Sequence, residues 1–417
     1  PRKMNPTLGL GLLLVGLLTV HGLLQPNRPP QSHEDASQAQ AGRGRRVAQE
    51  LARWNTDFGL KLFKKLASHN NGRNIFFSPL SIAMVFSMLC LGAQDSTLAE
   101  IRQVFNFREL PEQDVHEGFH YLIQKLNQSS QDLKLRLGNA LFIDQRLEPQ
   151  QKFLKGLKDI YFSDTIPINF QNQQNAEKQI NDYVSQKTHG KITNLVRSVN
   201  PNTLLLLVNY VYFLGRWLHE FDPKLTKEED FMANGNKLVK VPMMFRGGMY
   251  KMGHDDRLSC TVLEMPYKRN LTAILVLPDK GRLRQVEEAI QVDTMARWKK
   301  LTTQRVVDVS LPKFFITGIY DLKKTMAQLG ISKVFEEHGD LTKISLYRNL
   351  KVGEAVHKAE LKVDERGSEA AASSAMETLP METPIDIRFN RTFLMLIVED
   401  ITTTVLFLGK IGNPSGK

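Results

Sequence analysis

Residues 367–384 read GSEAAASSAMETLPMETP, a run with almost nothing to pack in a chain that is otherwise 42% hydrophobic. Laid out as a strand, its side chains segregate with a period of two. Ser368, Ala370, Ala372, Ser374, Met376 and Thr378 share one face and are all uncharged, while Glu369, Ala371, Ser373, Ala375, Glu377 and Leu379 share the other. Both carboxylates therefore sit on one side. A flexible surface loop explains the Ala and Ser content but not this segregation. Small residues of weak strand propensity keep such a segment a loop until something recruits it. Two Met-Glu pairs, Met376-Glu377 and Met381-Glu382, lie within it.

On both sides the chain turns apolar. The runs Thr203-Leu-Leu-Leu-Leu-Val and Ala273-Ile-Leu-Val-Leu predict strands buried on both faces, and Leu133-Lys-Leu-Arg-Leu and Arg305-Val-Val-Asp-Val-Ser-Leu alternate. Leu51, Trp54, Phe58 and Leu62 recur at helical spacing, and Ser78-Pro79 supplies an N-cap and first-turn proline for SIAMVFSMLCLGA. Helices cluster before about residue 130 and strands dominate afterwards, without repeats. With 417 residues, this reads as one large α+β domain over 47–417.

The beginning of the chain is different. Arg2 and Lys3, the apolar run Leu8–Val20 and small Gly22 follow the order of a secretory signal, assigned to 1–22. That run is too short to span a bilayer, which takes ~20 apolar residues. Residues 23–46 lack apolar periodicity and are expected to form a disordered tail. Secretion would make three sequons usable, at Asn127, Asn270 and Asn390; the last lies in an apolar run and is the poorest acceptor.

A formal net charge of +11 suits an acidic partner. The basic residues are scattered, however, with no run typical of a nucleic-acid arm. Cys90 and Cys260 both sit in apolar stretches and read as small core residues. The one catalytic motif is His116-Glu-Gly-Phe-His120, which fits the two-histidine pattern of zinc proteases. The third ligand of that chemistry would fall where Ile123 and Leu126 stand. The motif is therefore read as the polar face of a helix over roughly 112–127, with no metal. No nucleophile elbow, C-x-x-C or phosphate-cradling loop is present, so an enzyme has no constellation behind it.

Several segments, in order, resemble the serpin family and its antitrypsin-like clade. They are Asn74-Ile-Phe-Phe-Ser-Pro-Leu-Ser-Ile, Asn209-Tyr-Val-Tyr-Phe-Leu-Gly-Arg-Trp217, Ala355-Val-His-Lys-Ala359 with Asp364-Glu-Arg-Gly-Ser-Glu369, and Ile387–Ile397 with Phe407–Pro414. The resemblance implies three β-sheets, about nine helices and an exposed reactive-centre loop at about 365–386. It further implies a monomeric suicide inhibitor of a serine protease, in which the cleaved loop enters the large sheet. Its hinge would comprise Glu365, Gly367, Ser368, Ala370, Ala371 and Ala372. Ser78, Ser81, Asn209 and His357 match the family's shutter and Trp217 its breach.

Family loop length places the reactive bond at Met381-Glu382. Cleavage there leaves about 14 steps from Gly367, or ~46 Å at ~3.3 Å per residue, whereas cleavage at Met376 leaves about 9 steps, or ~30 Å. An unbranched Met suits an apolar primary pocket, so a chymotrypsin-like or kallikrein-type protease is the expected partner. Arg297, Lys299, Lys300 and Arg305 resemble a heparin-binding region, to which Lys187, Lys191 and Arg197 would add; a sulfated glycosaminoglycan would then serve as activator. The competing expectation within the family is a non-inhibitory carrier or chaperone. Such members often have obstructive hinge residues, unlike Ser368–Ser374.

Overall fold

The computed structural model describes residues 33–69, 72–127, 133–234, 237–347, 349–367 and 383–416. The signal segment, Met381-Glu382 and hinge positions Ser368, Ala370, Ala371 and Ala372 lie outside these residues. Two compact units divide the chain, Pro1–Arg43 and Gly44–Lys417.

The first half is mostly helical: α1 (His33–His69), the short β1 (Ile75–Phe77), α2 (Pro79–Cys90), α3 (Asp95–Val104) and α4 (Glu112–Leu126). Helix α1 begins well before the expected boundary, so 33–46 is helical rather than a disordered tail. Its Ala, Gln, Glu and Arg content favours helix without any apolar stripe, and the later turns anchor it through buried Val47, Ala48 and Leu51. Ser78 caps α2 as its position predicts, accepting from the Ser81 N–H, with Pro79 in the first turn. Every residue of α2 is buried.

A five-stranded sheet runs in the order β10 (Phe314–Asp321), β11 (Glu354–Val363), β4 (Leu205–Gly215), β2 (Leu133–Asp144), β3 (Asp164–Ile168). Strand β4, LLLVNYVYFLG, is buried at all its positions because both of its faces are covered. Leu205, Leu207, Val211 and Phe213 join the main core, whereas Leu206, Val208, Tyr210, Tyr212 and Leu214 form a second apolar cluster on the other face. That outer cluster is closed by α6 (Gln173–Lys187), which follows α5 (Gln151–Tyr161) and β3.

The remaining strands form one nine-stranded sheet, eight along a path through the long β6 (Lys237–Asp255) and one beside it. Its first part pairs with β5 (Lys227–Ala233), its middle with β9 (Thr303–Pro312) and its end with β7 (Cys260–Tyr267). Strand β12 (Ile385–Arg388) adds to β9, while β8 (Leu271–Pro278), β13 (Phe393–Glu399), β14 (Thr404–Ile411) and β1 extend the path beyond β7. Three sheets are expected; strand pairing among the described residues gives two, because the long β6 pairs with β5, β9 and β7 and so joins the remaining strands into one sheet. Helices α7 (Leu283–Ala289), α8 (Val292–Leu301) and α9 (Leu322–Ala327) complete nine α-helices among the described residues. None of these helices is long and apolar enough to cross a membrane. Cys90 and Cys260 are buried free thiols, and burial pushes both up to about 12.

Candidate functional site

The five-stranded sheet is mixed, with parallel pairs at its β2–β3 edge and at its central β4–β11, and the central pair is the candidate slot. Strands β2 and β4 are antiparallel, as are β10 and β11, but β4 and β11 run parallel, from Leu206↔Glu354 to Phe213↔Leu361. Parallel ladders are slightly weaker per residue. Residues 364–367 follow directly on the end of β11, so the loop read above starts at this pair.

Beneath the pair lies a closed polar network. The backbone N–H of Ser78 donates to His357 Nε2 at 3.1 Å. A backbone amide can only donate, so Nε2 is unprotonated and the ring proton sits on Nδ1, which donates to Asn209 Oδ1. Asn209 Nδ2 in turn reaches Ser81 Oγ at 2.5 Å and Asn139 Oδ1 at 2.6 Å. Ser78, Ser81, Asn209 and His357 are fully buried, and burial lowers the His357 pKa to about 3. The ring is thus held neutral, which the network requires. It also stacks on Tyr320, 6.1 Å between centroids, whose hydroxyl accepts from the Phe76 N–H at 3.1 Å. The four shutter residues are therefore brought together. Asn139 and Tyr320, which sequence reasoning missed, complete the group. A lone Asn inside the apolar strand segment LGNALFI was the available signal for Asn139.

The mouth of the slot is fastened by a separate clasp. Trp217, just beyond β4, stacks on Tyr267 with centroids 4.1 Å apart. Its Nε1 donates to the Asp364 carbonyl at 3.1 Å and its backbone N–H to the Arg366 carbonyl at 3.1 Å. Phe221 N–H donates to the Glu365 carbonyl at 2.7 Å. The Glu365 carboxylate accepts from Thr226 Oγ1 at 2.8 Å and pairs with Lys313 at 2.9 Å. Burial works against that charge, but Lys313 and Thr226 outweigh it and hold the pKa below its usual value.

Asp364 and Gly367 bond each other reciprocally, N–H to carbonyl, at 3.3 and 3.1 Å, forming an antiparallel bridge. Gly367 adopts φ +98°, and a Cβ there would stand 2.1 Å from the Gly215 carbonyl oxygen. Only glycine fits at that position.

The other singled-out residues fall elsewhere. The HEGFH helix does not expose its histidines. His116 is buried, with Nδ1 2.5 Å from the Tyr161 hydroxyl, and His120 meets the Ile160 carbonyl at 3.0 Å and stacks on Phe162. Gly118 lies against α1, where a Cβ would be 2.6 Å from Leu51. Each of these three residues of the motif therefore packs α4 onto a neighbouring helix. The seven cations lie in two groups on different elements. Lys187 pairs with Asp164 at 2.7 Å, Lys191 lies over the Tyr212 ring and Arg197 is exposed, all near the outer face of the five-stranded sheet. Arg297 is bound to Asp255 at 2.6 Å, whereas Lys299, Lys300 and Arg305 are exposed on α8 and β9. Of the sequons, Asn270 is exposed at φ +56° in the β7–β8 turn, Asn127 is exposed at the end of α4, and Asn390 is half-buried with its carbonyl accepting from Met232 N–H.

Comparison with known proteins agrees with this geometry. A family model described as serpin (serine protease inhibitor) matches residues 53–414. Serpin A12 of Homo sapiens is 60% identical over 414 residues, covering 99% of this chain and all of that protein. Alpha-1-antitrypsin of Sus scrofa is 40% identical, with 99% of each chain covered. Among solved structures, human thyroxine-binding globulin complexed with thyroxine superposes with a TM-score of 0.83 at 36% identity, over 88% of this chain and 99% of that one. Family model, relatives and fold converge, and the chain belongs to the serpin family.

Proposed function

We propose that the chain is a secreted suicide inhibitor of a serine protease, with Met381-Glu382 as the bond it offers. The observation that carries this reading is the parallel β4–β11 pair opening onto the loop. A strand that leaves the end of β11 and turns back would run antiparallel to both neighbours. Its entry would replace the weaker parallel ladder with two antiparallel ones.

The Asp364↔Gly367 bridge supplies a starting register for that strand. Counting outward from it, and using the β4–β11 pairing, Ala370 would enter between Leu361 and Phe213, and Ala372 between Ala359 and Val211. Ser374 would enter between His357 and Asn209, and Met376 between Ala355 and Leu207. Ala370 thus meets the bulkiest pair, Leu361 and Phe213, and the one hydroxyl in the series meets the two polar residues. The uncharged face of the loop would be the face that enters.

The chemistry follows from that placement. The protease serine attacks the Met381 carbonyl, the peptide bond to Glu382 breaks, the new amine departs and an ester links the two proteins. Insertion then draws the ester along the sheet before water can hydrolyse it. An apolar primary pocket fits Met381, which favours chymotrypsin-like or kallikrein-type proteases, and Glu382 favours a basic neighbouring subsite. A carrier role, which the likeness to thyroxine-binding globulin raises, fits less well with a hinge free of bulky or inward-facing charged residues.

Incubation with chymotrypsin is expected to give a covalent complex that survives SDS and contains one copy of each protein. Cleavage at Met381 with no such complex, against a panel of chymotrypsin-like and kallikrein-type proteases, would remove the inhibitor reading.

A further inference from the structure

The histidines of HEGFH have no part in the slot, yet one of them heads a buried polar cluster between α4, α5 and α2. His116 Nδ1 stands 2.5 Å from the Tyr161 hydroxyl of α5, with the two rings edge to face. Ser87 of α2, fully buried, lies beside that hydroxyl without a hydrogen bond of good geometry. On the other side of the ring, Nε2 is 3.8 Å from Glu112 Oε1, one helical turn earlier on α4. That is close for a charge and too long for a hydrogen bond. Only four buried side-chain polar atoms lack a hydrogen-bond partner among the described residues, and two of them, Ser87 Oγ and His116 Nε2, belong to this cluster. Such groups call for a physical reason.

The charges around the ring supply one. Arg102 of α3 approaches Glu112 to 3.8 Å, and Lys343 acts on it from the segment after α9. His116 first, then Lys343 and Arg102, hold the Glu112 carboxyl below its usual range against partial burial, so it is an anion at neutral pH. Burial, with Cys90 of α2 and Glu112 adding to it, pushes the Tyr161 phenol well above its ordinary value, so it keeps its proton. A neutral ring with a bare Nε2 would aim a lone pair at the Glu112 carboxylate. Its hydrogen therefore belongs on Nε2, and Nδ1 accepts from the Tyr161 hydroxyl. The single phenolic hydrogen is then held by His116, and Ser87 Oγ is left without a donor.

One proton taken from solvent, which reaches the cluster past the 40% exposed Glu112 side chain, rearranges these bonds. Nδ1–H donates to the Tyr161 oxygen, the phenolic hydrogen turns to Ser87 Oγ, and the positive ring faces the Glu112 carboxylate. We propose that Glu112, His116, Tyr161 and Ser87 form a proton-operated relay that ties α4 to α5 and α2 more firmly in acid than at neutral pH. The relay does not depend on strand entry. Its tie is present in acid and is lost as the pH rises through the range in which an imidazole gives up its proton, near ~6.5 without neighbours.

The test compares urea unfolding of the full chain and its variants at pH 7 and pH 5; His357 is common to all of them and cancels. Between the two, the unaltered chain should gain on His116→Gln by about tenfold in the unfolding equilibrium constant, the size of one hydrogen bond to a charged group. Tyr161→Phe keeps the ring packing but removes the acceptor, and should lose most of that gain. Ser87→Ala should match the unaltered chain at pH 7 and fall about threefold behind it at pH 5. Spectra of the chain with nitrogen-labelled histidine give a readout that packing alone does not move: the His116 ring should carry one proton at pH 7, on Nε2, and two at pH 5. A His116 ring still neutral at pH 5, or the same pH dependence in the unaltered chain, His116→Gln and Tyr161→Phe, overturns the relay. Should His116→Gln fail to fold, the spectra and Tyr161→Phe decide between these outcomes without it.

Discussion

Ser368→Arg is expected to convert the inhibitor into a substrate. Ser368 is the first residue past the Asp364↔Gly367 bridge, and in an inserted strand that register would set it beside Val363, which is 1% exposed. Seating a guanidinium there would bury a charge with no carboxylate prepared for it, at a cost of several kcal/mol. The entering strand meets that cost at its first step, so insertion slows before any compensating contact forms. Deacylation by water is not slowed, and more inhibitor molecules are consumed for each protease captured. The number consumed should rise from near one to more than about ten, read by titrating residual protease activity, with the chain still cut at Met381. Glu369→Arg, on the outward face, should leave that number nearly unchanged. Equal yields of SDS-stable complex from Ser368→Arg and the unaltered chain would contradict this account of the hinge.

The second large effect is on acid stability. Burial lowers His357 to about 3 from an ordinary value of 6.5. A ring with a depressed folded pKa takes up its proton more readily when unfolded, so its contribution to stability is complete above pH 6.5 and is lost as pH falls towards 3. At ~1.4 kcal/mol per pH unit, the loss amounts to about 2 kcal/mol by pH 5 and about 4 kcal/mol by pH 3. Protonation would place a second N–H against the Ser78 amide and break the network beneath the slot. Urea midpoints at pH 7 and pH 5 check this directly. The unaltered chain should lose about 2 kcal/mol more than His357→Gln between the two, because the variant has no group to titrate. Parallel losses in the two proteins would show that His357 is not the titrating group.

Some of this architecture was legible in the residues themselves and some was not. The unbroken run of β4 announced a strand covered on both faces, and Ser78-Pro79 announced the start of α2, because both signals are local. The bond between Asn209 and His357 joins positions 148 apart and has no local signature; only resemblance to a family paired them. Asn139 escaped notice because it lies within a strand segment whose apolar neighbours dominate its reading. His116 and His120 look solvent-facing on a helical wheel, yet α5 lies against that side and takes both rings. The early start of α1 was hidden for a different reason, since helix propensity without an amphipathic stripe resembles a polar tail. The clasp around Trp217 depends on backbone carbonyls of 364–366, which no side-chain pattern encodes.

The central claim is that the cut loop becomes a strand between β4 and β11. The crystal structure of the chain after cleavage at Met381-Glu382 tests it most directly. A six-stranded sheet is expected, with residues 368–381 antiparallel to both neighbours and the Ser374 hydroxyl between His357 and Asn209. A cleaved chain in which β4 and β11 still pair as Leu206↔Glu354 to Phe213↔Leu361 would contradict it.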